Sequence, residues 1–81
     1  MKLRRNTPAY EAELHRARNR VAEMSTFALL EWADVAGSGM AKGFQDYRRE
    51  SARESLLEIR SALIALTALN DELLERNEAG Q

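Results

Sequence analysis

Apolar residues recur at alternating intervals of four and three along the second half of the chain. The alternation runs from residue 52 to residue 77, and it separates into two interleaved series. One series is Leu56, Leu63, Asn70 and Asn77; the other is Ala52, Ile59, Leu66 and Leu73. This spacing is typical of a helix that packs against another helix at a shallow angle. It predicts a long amphipathic helix whose seam contains a polar residue, Asn70.

A second apolar stripe, at helical spacing, predicts a first helix over about residues 8–36. Thr7 and Pro8 are a favourable helix start, because a threonine oxygen caps free amides and proline suits the first turn. Glu11 and Glu13 follow near the N-terminus of this helix, where the helix dipole favours carboxylates. The stripe comprises Tyr10, Leu14, Ala17, Val21, Met24, Ala28, Trp32 and Val35.

Glycines separate the two predicted helices. Gly37-Ser38-Gly39 is placed to end the first helix, and the turn is expected to occupy about residues 37–43. The second helix then covers about residues 44–77, with a short tail at 79–81 and a flexible basic arm at 1–6. A turn near residue 40 makes the helices antiparallel, with facing residue numbers that sum to about 80. In this register Trp32 faces Arg48, and Tyr10 comes near Asn70.

Each helix carries more apolar surface than a two-helix hairpin can bury. Phe27 and Leu30 lie off the first stripe, and Leu57 and Ile64 form a second stripe on the other helix. We therefore expect two hairpins to associate as a homodimer, giving a four-helix bundle in which Asn70 helps to fix the register. Two alternatives remain open: the surplus surface docks a different protein, or it is ordinary scattered surface leucine.

Length and composition set the outer limits. The chain has 81 residues, enough for one small domain, and is rich in Ala, Leu, Arg and Glu with one Pro, which favours an all-α fold. The net charge of −1 gives no bulk electrostatic case for nucleic acid or membrane. There is no cysteine and no membrane-spanning run, which fits a cytoplasmic protein. The preference for Arg over Lys fits a bacterial or phage genome.

The chain offers little chemistry. Glu11 and His15 are four residues apart, but they lack the further ligands that a metal site needs. The glycines at 37–43 do not have the spacing of a phosphate-binding loop, and no strand precedes them. We therefore predict no catalytic residue, no cofactor and no metal, and a non-enzymatic interaction or regulatory module.

Two further functions are kept as alternatives. The first is nucleic-acid binding through Arg4, Arg5, Arg16 and Arg20. In the second, Lys42 followed by Asp46-Tyr47-Arg48-Arg49-Glu50 resembles the Lys…Asp-x-x-Arg-Glu run of small all-helical chorismate mutases. That resemblance covers about ten residues and implies a dimeric enzyme. The gap between lysine and aspartate is shorter here, and Glu31 stands where that family has an arginine.

Overall fold

The computed structural model describes residues 7–80, which form three helices. These are α1 (Pro8–Ala22), α2 (Thr26–Glu50) and α3 (Arg53–Glu78). No strand occurs in residues 7–80, and the all-α prediction is confirmed. The predicted basic arm at residues 1–6 and the last residue of the predicted tail lie outside this range.

The expectation of a two-helix hairpin is wrong, because the predicted first helix is interrupted. α1 begins where Thr7 Oγ1 accepts a hydrogen bond from the Tyr10 amide at 3.1 Å. It ends at Ala22, and α2 then begins after Ser25, whose Oγ accepts a hydrogen bond from the Ala28 amide at 3.0 Å. A serine in this position satisfies an amide that would otherwise lack a partner, so a new helix starts there at little cost.

The glycines of the predicted 37–43 turn lie inside α2. Because the helix continues through these glycines, it keeps the backbone hydrogen bonds that a turn would break. These bonds outweigh the roughly 1 kcal/mol that each mid-helix glycine costs. The actual second turn is Ser51-Ala52. Ser51 adopts a left-handed conformation with φ of 54°, and its amide donates to the Tyr47 carbonyl at 2.7 Å. Serine therefore takes the role at this turn that the prediction gave to glycine.

The three helices run up, down and up. Arg76 of α3 donates to Thr26 Oγ1 at 3.0 Å, while Gly43 lies against Ile59, so α2 and α3 are antiparallel. The α3 helix also bonds α1, through Arg18 and Asp71 at 3.3 Å, and Arg60 lies 5.2 Å from the Tyr10 ring. Residue numbers thus rise together in α1 and α3, and these helices are parallel.

The predicted register is also wrong. In the antiparallel α2–α3 pair, facing residue numbers sum to about 100 rather than about 80, and the predicted facing of Trp32 and Arg48 does not occur, since both belong to α2.

The core occupies the half of the molecule where all three helices meet. Its buried members are Leu14, Val21, Leu29, Ile64, Ala68 and Leu69. Burial of each large aliphatic side chain contributes roughly 1.5–3 kcal/mol. The α1 helix has 15 residues against 26 in α3, so it leaves the end of the α2–α3 hairpin nearest Ser51 as two helices alone.

Arg76 holds the connection between α1 and α2. Its guanidinium donates to the Val21 carbonyl at 3.2 Å, to the Met24 carbonyl at 2.6 Å and to Glu72 at 2.8 Å. The side chain is 16% exposed, so these bonds form in partial shelter from water. A single α3 residue therefore binds the last turn of α1, the connection that follows it and, through Thr26, the start of α2.

Candidate functional site

One side of the α2–α3 pair exposes four large apolar side chains, Leu30, Phe44, Leu56 and Leu63. On α2, Leu30, Gly37 and Phe44 are seven residues apart and share one side of the helix. On α3, Leu56, Leu63 and Asn70 repeat the same spacing. We call these six residues the outer face. Phe44 is 54% exposed and Leu63 is 46% exposed, which is unusual for side chains of this size in so small a protein.

The two stripes of the outer face lie side by side. Thr26, four residues before Leu30 on the same side of α2, lines a shallow groove with Asn70 and Leu74. This groove, of about 340 Å³, joins the stripes at their upper end. The contacts of α1 fall elsewhere on α3, at Arg60 and Asp71, so α1 leaves the outer face open.

The predicted seam of α3 has its two series in different environments. Ile59 is buried and Leu66 and Leu73 are half-buried, whereas Leu56 and Leu63 are exposed. A four–three spacing predicts a contact stripe about 100° wide, but it does not say which edge the neighbouring helix covers. In this chain α2 covers one edge, and the Leu56 edge belongs to the outer face.

The predicted interface residues are divided between surface and core. Phe27 is 72% exposed, and Leu30, Leu57 and Asn70 are exposed as well. Ile64 is 5% exposed and belongs to the three-helix core. Its burial therefore does not require a second chain, contrary to the expectation from the hairpin.

The arginines considered for nucleic acid fall in different places. Arg16 and Arg20 line an open groove of about 400 Å³ between α1 and α2, and Ser61 of α3 also lines it. Arg20 stacks 4.9 Å from the Trp32 ring centre, the position that the sequence assigned to Arg48. Glu13 lines the same groove and offsets part of its positive charge. Arg4 and Arg5 lie outside the described residues.

The residues of the chorismate-mutase-like run bind one another. Lys42 Nζ and an Arg49 guanidinium nitrogen donate to the Asp46 carboxylate at 3.0 and 2.7 Å. The hydrogen bond from Lys42 is the main reason that the pKa of Asp46 lies below its ordinary value, and Arg49 lowers it further. Stabilisation from this cluster is present above the ordinary pKa of the carboxyl and is lost as the pH falls through the lowered value.

Other kinds of site find no support in the part of the chain that the structure describes. Within residues 7–80 no three His, Cys, Asp or Glu side chains gather as a metal site would require. His15 lies 3.3 Å from the Asn19 side-chain amide on the exposed side of α1. Among the three helices, none combines the length and the apolar character that crossing a membrane requires.

Two structurally important residues were not identified from the sequence. Arg76 was given no role, and its contacts with Val21 and Met24 can be recognised only in a three-helix topology. Gly43 was assigned to a turn. The signal that could have revealed the topology was Ser25, since a serine before an apolar run is a common helix start.

Comparison of this chain with models of protein families, with characterised proteins and with solved structures found no match. The proposals below rest on the geometry of the described residues.

Proposed function

We propose that this chain is a non-enzymatic helical interaction module that binds a protein partner through the outer face. The observation that supports this proposal is the exposure of four large apolar side chains on one side of α2 and α3, among them Phe44 and Leu63. Exposed apolar surface of this extent is costly in water, and in soluble proteins it commonly marks a binding surface. Two antiparallel helices with a shallow valley between them suit a partner that is itself helical.

The four-helix bundle expected from the sequence takes a modified form in this proposal. α2 and α3 supply two helices, the partner supplies the others, and α1 closes the opposite side of the α2–α3 pair. Leu30 and Phe44 would be buried in such a contact, and Asn70 would supply a polar position that helps to set the register. Action as a small regulator of bacterial or phage origin is part of the same proposal.

The geometry gives weaker support to the two alternatives, nucleic-acid binding and a chorismate-mutase-like enzyme. Arg16 and Arg20 share their groove with Glu13, and the net charge of the chain is −1, which does not favour phosphate binding. Lys42 and Arg49 are engaged with Asp46 on one exposed stretch of α2. These groups stabilise each other within α2 and do not line any of the grooves described above.

Site-specific photo-crosslinking in the producing cell tests the proposal. A benzophenone side chain at position 44 should crosslink to protein, because this position lies on the outer face. The matched control is position 35, where Val35 is 69% exposed on the opposite side of α2, nine residues before Phe44. Crosslinking from position 44 and not from position 35 is expected. Equal yields from both, or no adduct from either, would show that the outer face is not a binding surface.

A further inference from the structure

We infer that the occupant of the outer face is a second copy of this chain. The two copies are antiparallel, about a two-fold axis that crosses the helices at right angles near Gly37 and Leu63. This inference rests on the proposed function, because it names the partner of the same surface. Three observations support it: the surface area of the chain, the centring of the two stripes and the glycine at their midpoint.

The single chain has more surface than a closed protein of its size. Its accessible area is 6164 Å², whereas a monomer of 9.2 kDa is expected to expose about 4,900 Å². The radius of gyration is 14.1 Å, against about 11.7 Å for a compact chain of this length. The excess, roughly 1,200 Å², exceeds the approximately 800 Å² that each partner contributes to a stable interface of standard size.

The two apolar stripes are centred at the same height. Gly37 is midway between Leu30 and Phe44, and Leu63 is midway between Leu56 and Asn70. Because facing residues of α2 and α3 sum to about 100, Gly37 and Leu63 lie side by side.

A two-fold axis through this height at right angles to the helices brings the two copies into register. It places Leu30 of one chain opposite Phe44 of the other, and it brings Gly37 and Leu63 opposite their own copies. Such self-complementarity is what a symmetric homodimer requires.

Gly37 has no steric role within the single chain. A Cβ added there would meet nothing within 4 Å, although a mid-helix glycine costs about 1 kcal/mol relative to alanine. At the crossing point of two α2 helices, the missing side chain lets the backbones approach closely. Gly39 is equally open and lies off the outer face, and nothing in the structure explains it.

The mass of the wild-type protein in solution is the first test. Sedimentation equilibrium at tens of micromolar should give twice 9.2 kDa. Leu63→Glu should raise the dimer dissociation constant at least about a hundredfold, because it buries an unpaired charge against its own copy. Val35→Glu, on the opposite side of α2, should change it less than about threefold. A wild-type protein that remains monomeric at 100 µM, or a Leu63→Glu dimer of unchanged strength, would overturn the inference.

Disulfide trapping tests the arrangement and does not depend on how the glutamate variants fold. The chain has no cysteine, so single substitutions are unambiguous. Under mild oxidation Gly37→Cys should crosslink to its own copy, since residues on the axis come within disulfide reach. Leu30→Cys should not crosslink alone but should do so when mixed with Phe44→Cys. Crosslinking of Leu30→Cys with itself, or none at Gly37→Cys, would contradict the antiparallel arrangement.

The two proposals fail in different ways. If the wild type is a monomer while a benzophenone at position 44 captures a different protein, the self-association is refuted and the binding function stands. If position 44 captures neither this chain nor another protein, both proposals are wrong.

Discussion

At Gly43 the lack of a side chain allows α3 to approach α2. A Cβ added there would lie 2.7 Å from Ile59 Cγ1 and 3.3 Å from the Ser55 carbonyl oxygen. Ile59 is buried and the Ser55 oxygen belongs to the backbone, so neither can move away freely. Gly39 is in the same helix with nothing within 4 Å of its added Cβ, and it is the natural control.

Gly43→Ala should lower the free energy of unfolding by about 1–3 kcal/mol, because it forces the two helices apart. Gly39→Ala should raise it by about 0.5–1 kcal/mol through better helix propensity alone. Urea denaturation followed by circular dichroism measures both changes. If both variants gain stability by similar amounts, the close approach of α3 at Gly43 is incorrect.

These glycines also show what a sequence leaves undecided at the scale of one residue. The sequence does not distinguish a glycine that ends a helix from a glycine that lets a neighbouring helix approach closely. Only the residues that pack against the glycine in the folded structure make the distinction. The turn was therefore expected at 37–43, whereas the chain turns at Ser25 and at Ser51. Ser25, a serine at a helix start, was the better local signal for the first turn. No local signal in the sequence indicates that Ser51 adopts a left-handed conformation.

At the scale of the helices, Arg76 has the largest number of partners. It bonds the Val21 carbonyl of α1, the Met24 carbonyl of the connection, the Thr26 hydroxyl at the start of α2 and Glu72 of its own helix. Arg18 provides the contrast. Its bond to Asp71 also joins α1 to α3, yet both side chains are about half exposed.

Arg76→Met should destabilise the protein by about 2–3 kcal/mol, because it removes this donor from the sheltered Met24 carbonyl and from the Glu72 carboxylate. Arg18→Met should cost no more than about 1 kcal/mol, as is usual for an exposed ion pair. Thermal unfolding of the two variants at equal concentration makes the comparison. Equal small losses would mean that Arg76 does not hold the α1–α2 connection.

The helices themselves were predictable to different degrees. The four–three spacing from residue 52 to residue 77 coincides closely with α3, Arg53–Glu78, but the predicted second helix, at about residues 44–77, began too early because the turn was expected at the glycines. The stripe from Tyr10 to Val35 continued across the break at residues 23–25, so two helices were taken for one. Periodicity indicates which residues share one side of a helix. It does not reveal a short connection after which the apolar residues resume at the same helical spacing.

For the whole molecule, the short α1 produces a gradient of stability. Residues 64–73 of α3 pack against both other helices, whereas residues 53–59 pack against α2 alone. Segments with fewer buried apolar contacts open more readily without global unfolding. The candidate outer face extends across both regions, from Leu30 and Asn70 at one end to Phe44 and Leu56 at the other.

Amide hydrogen exchange in dilute protein should therefore be at least about tenfold faster over residues 44–58 than over residues 64–73. Residues 26–33, in the three-helix part of α2, should resemble the slower group and serve as the internal control. Raising the protein concentration should slow exchange over residues 44–58 if the outer face becomes covered. Uniform exchange along α2 and α3 would be inconsistent with a two-helix end of lower stability.

The order of the helices along the chain also has a consequence for biosynthesis. α3 is the common packing partner of α1 and α2, which make few contacts with each other, and α3 is synthesised after both. At about 5–20 residues per second, a ribosome needs about 1–5 s to add the 26 residues of α3. Until α3 is available, Leu14, Val21 and Leu29 lack the side chains of α3 that pack against them in the folded chain. These three helices can therefore complete their common core only after α3 has been synthesised.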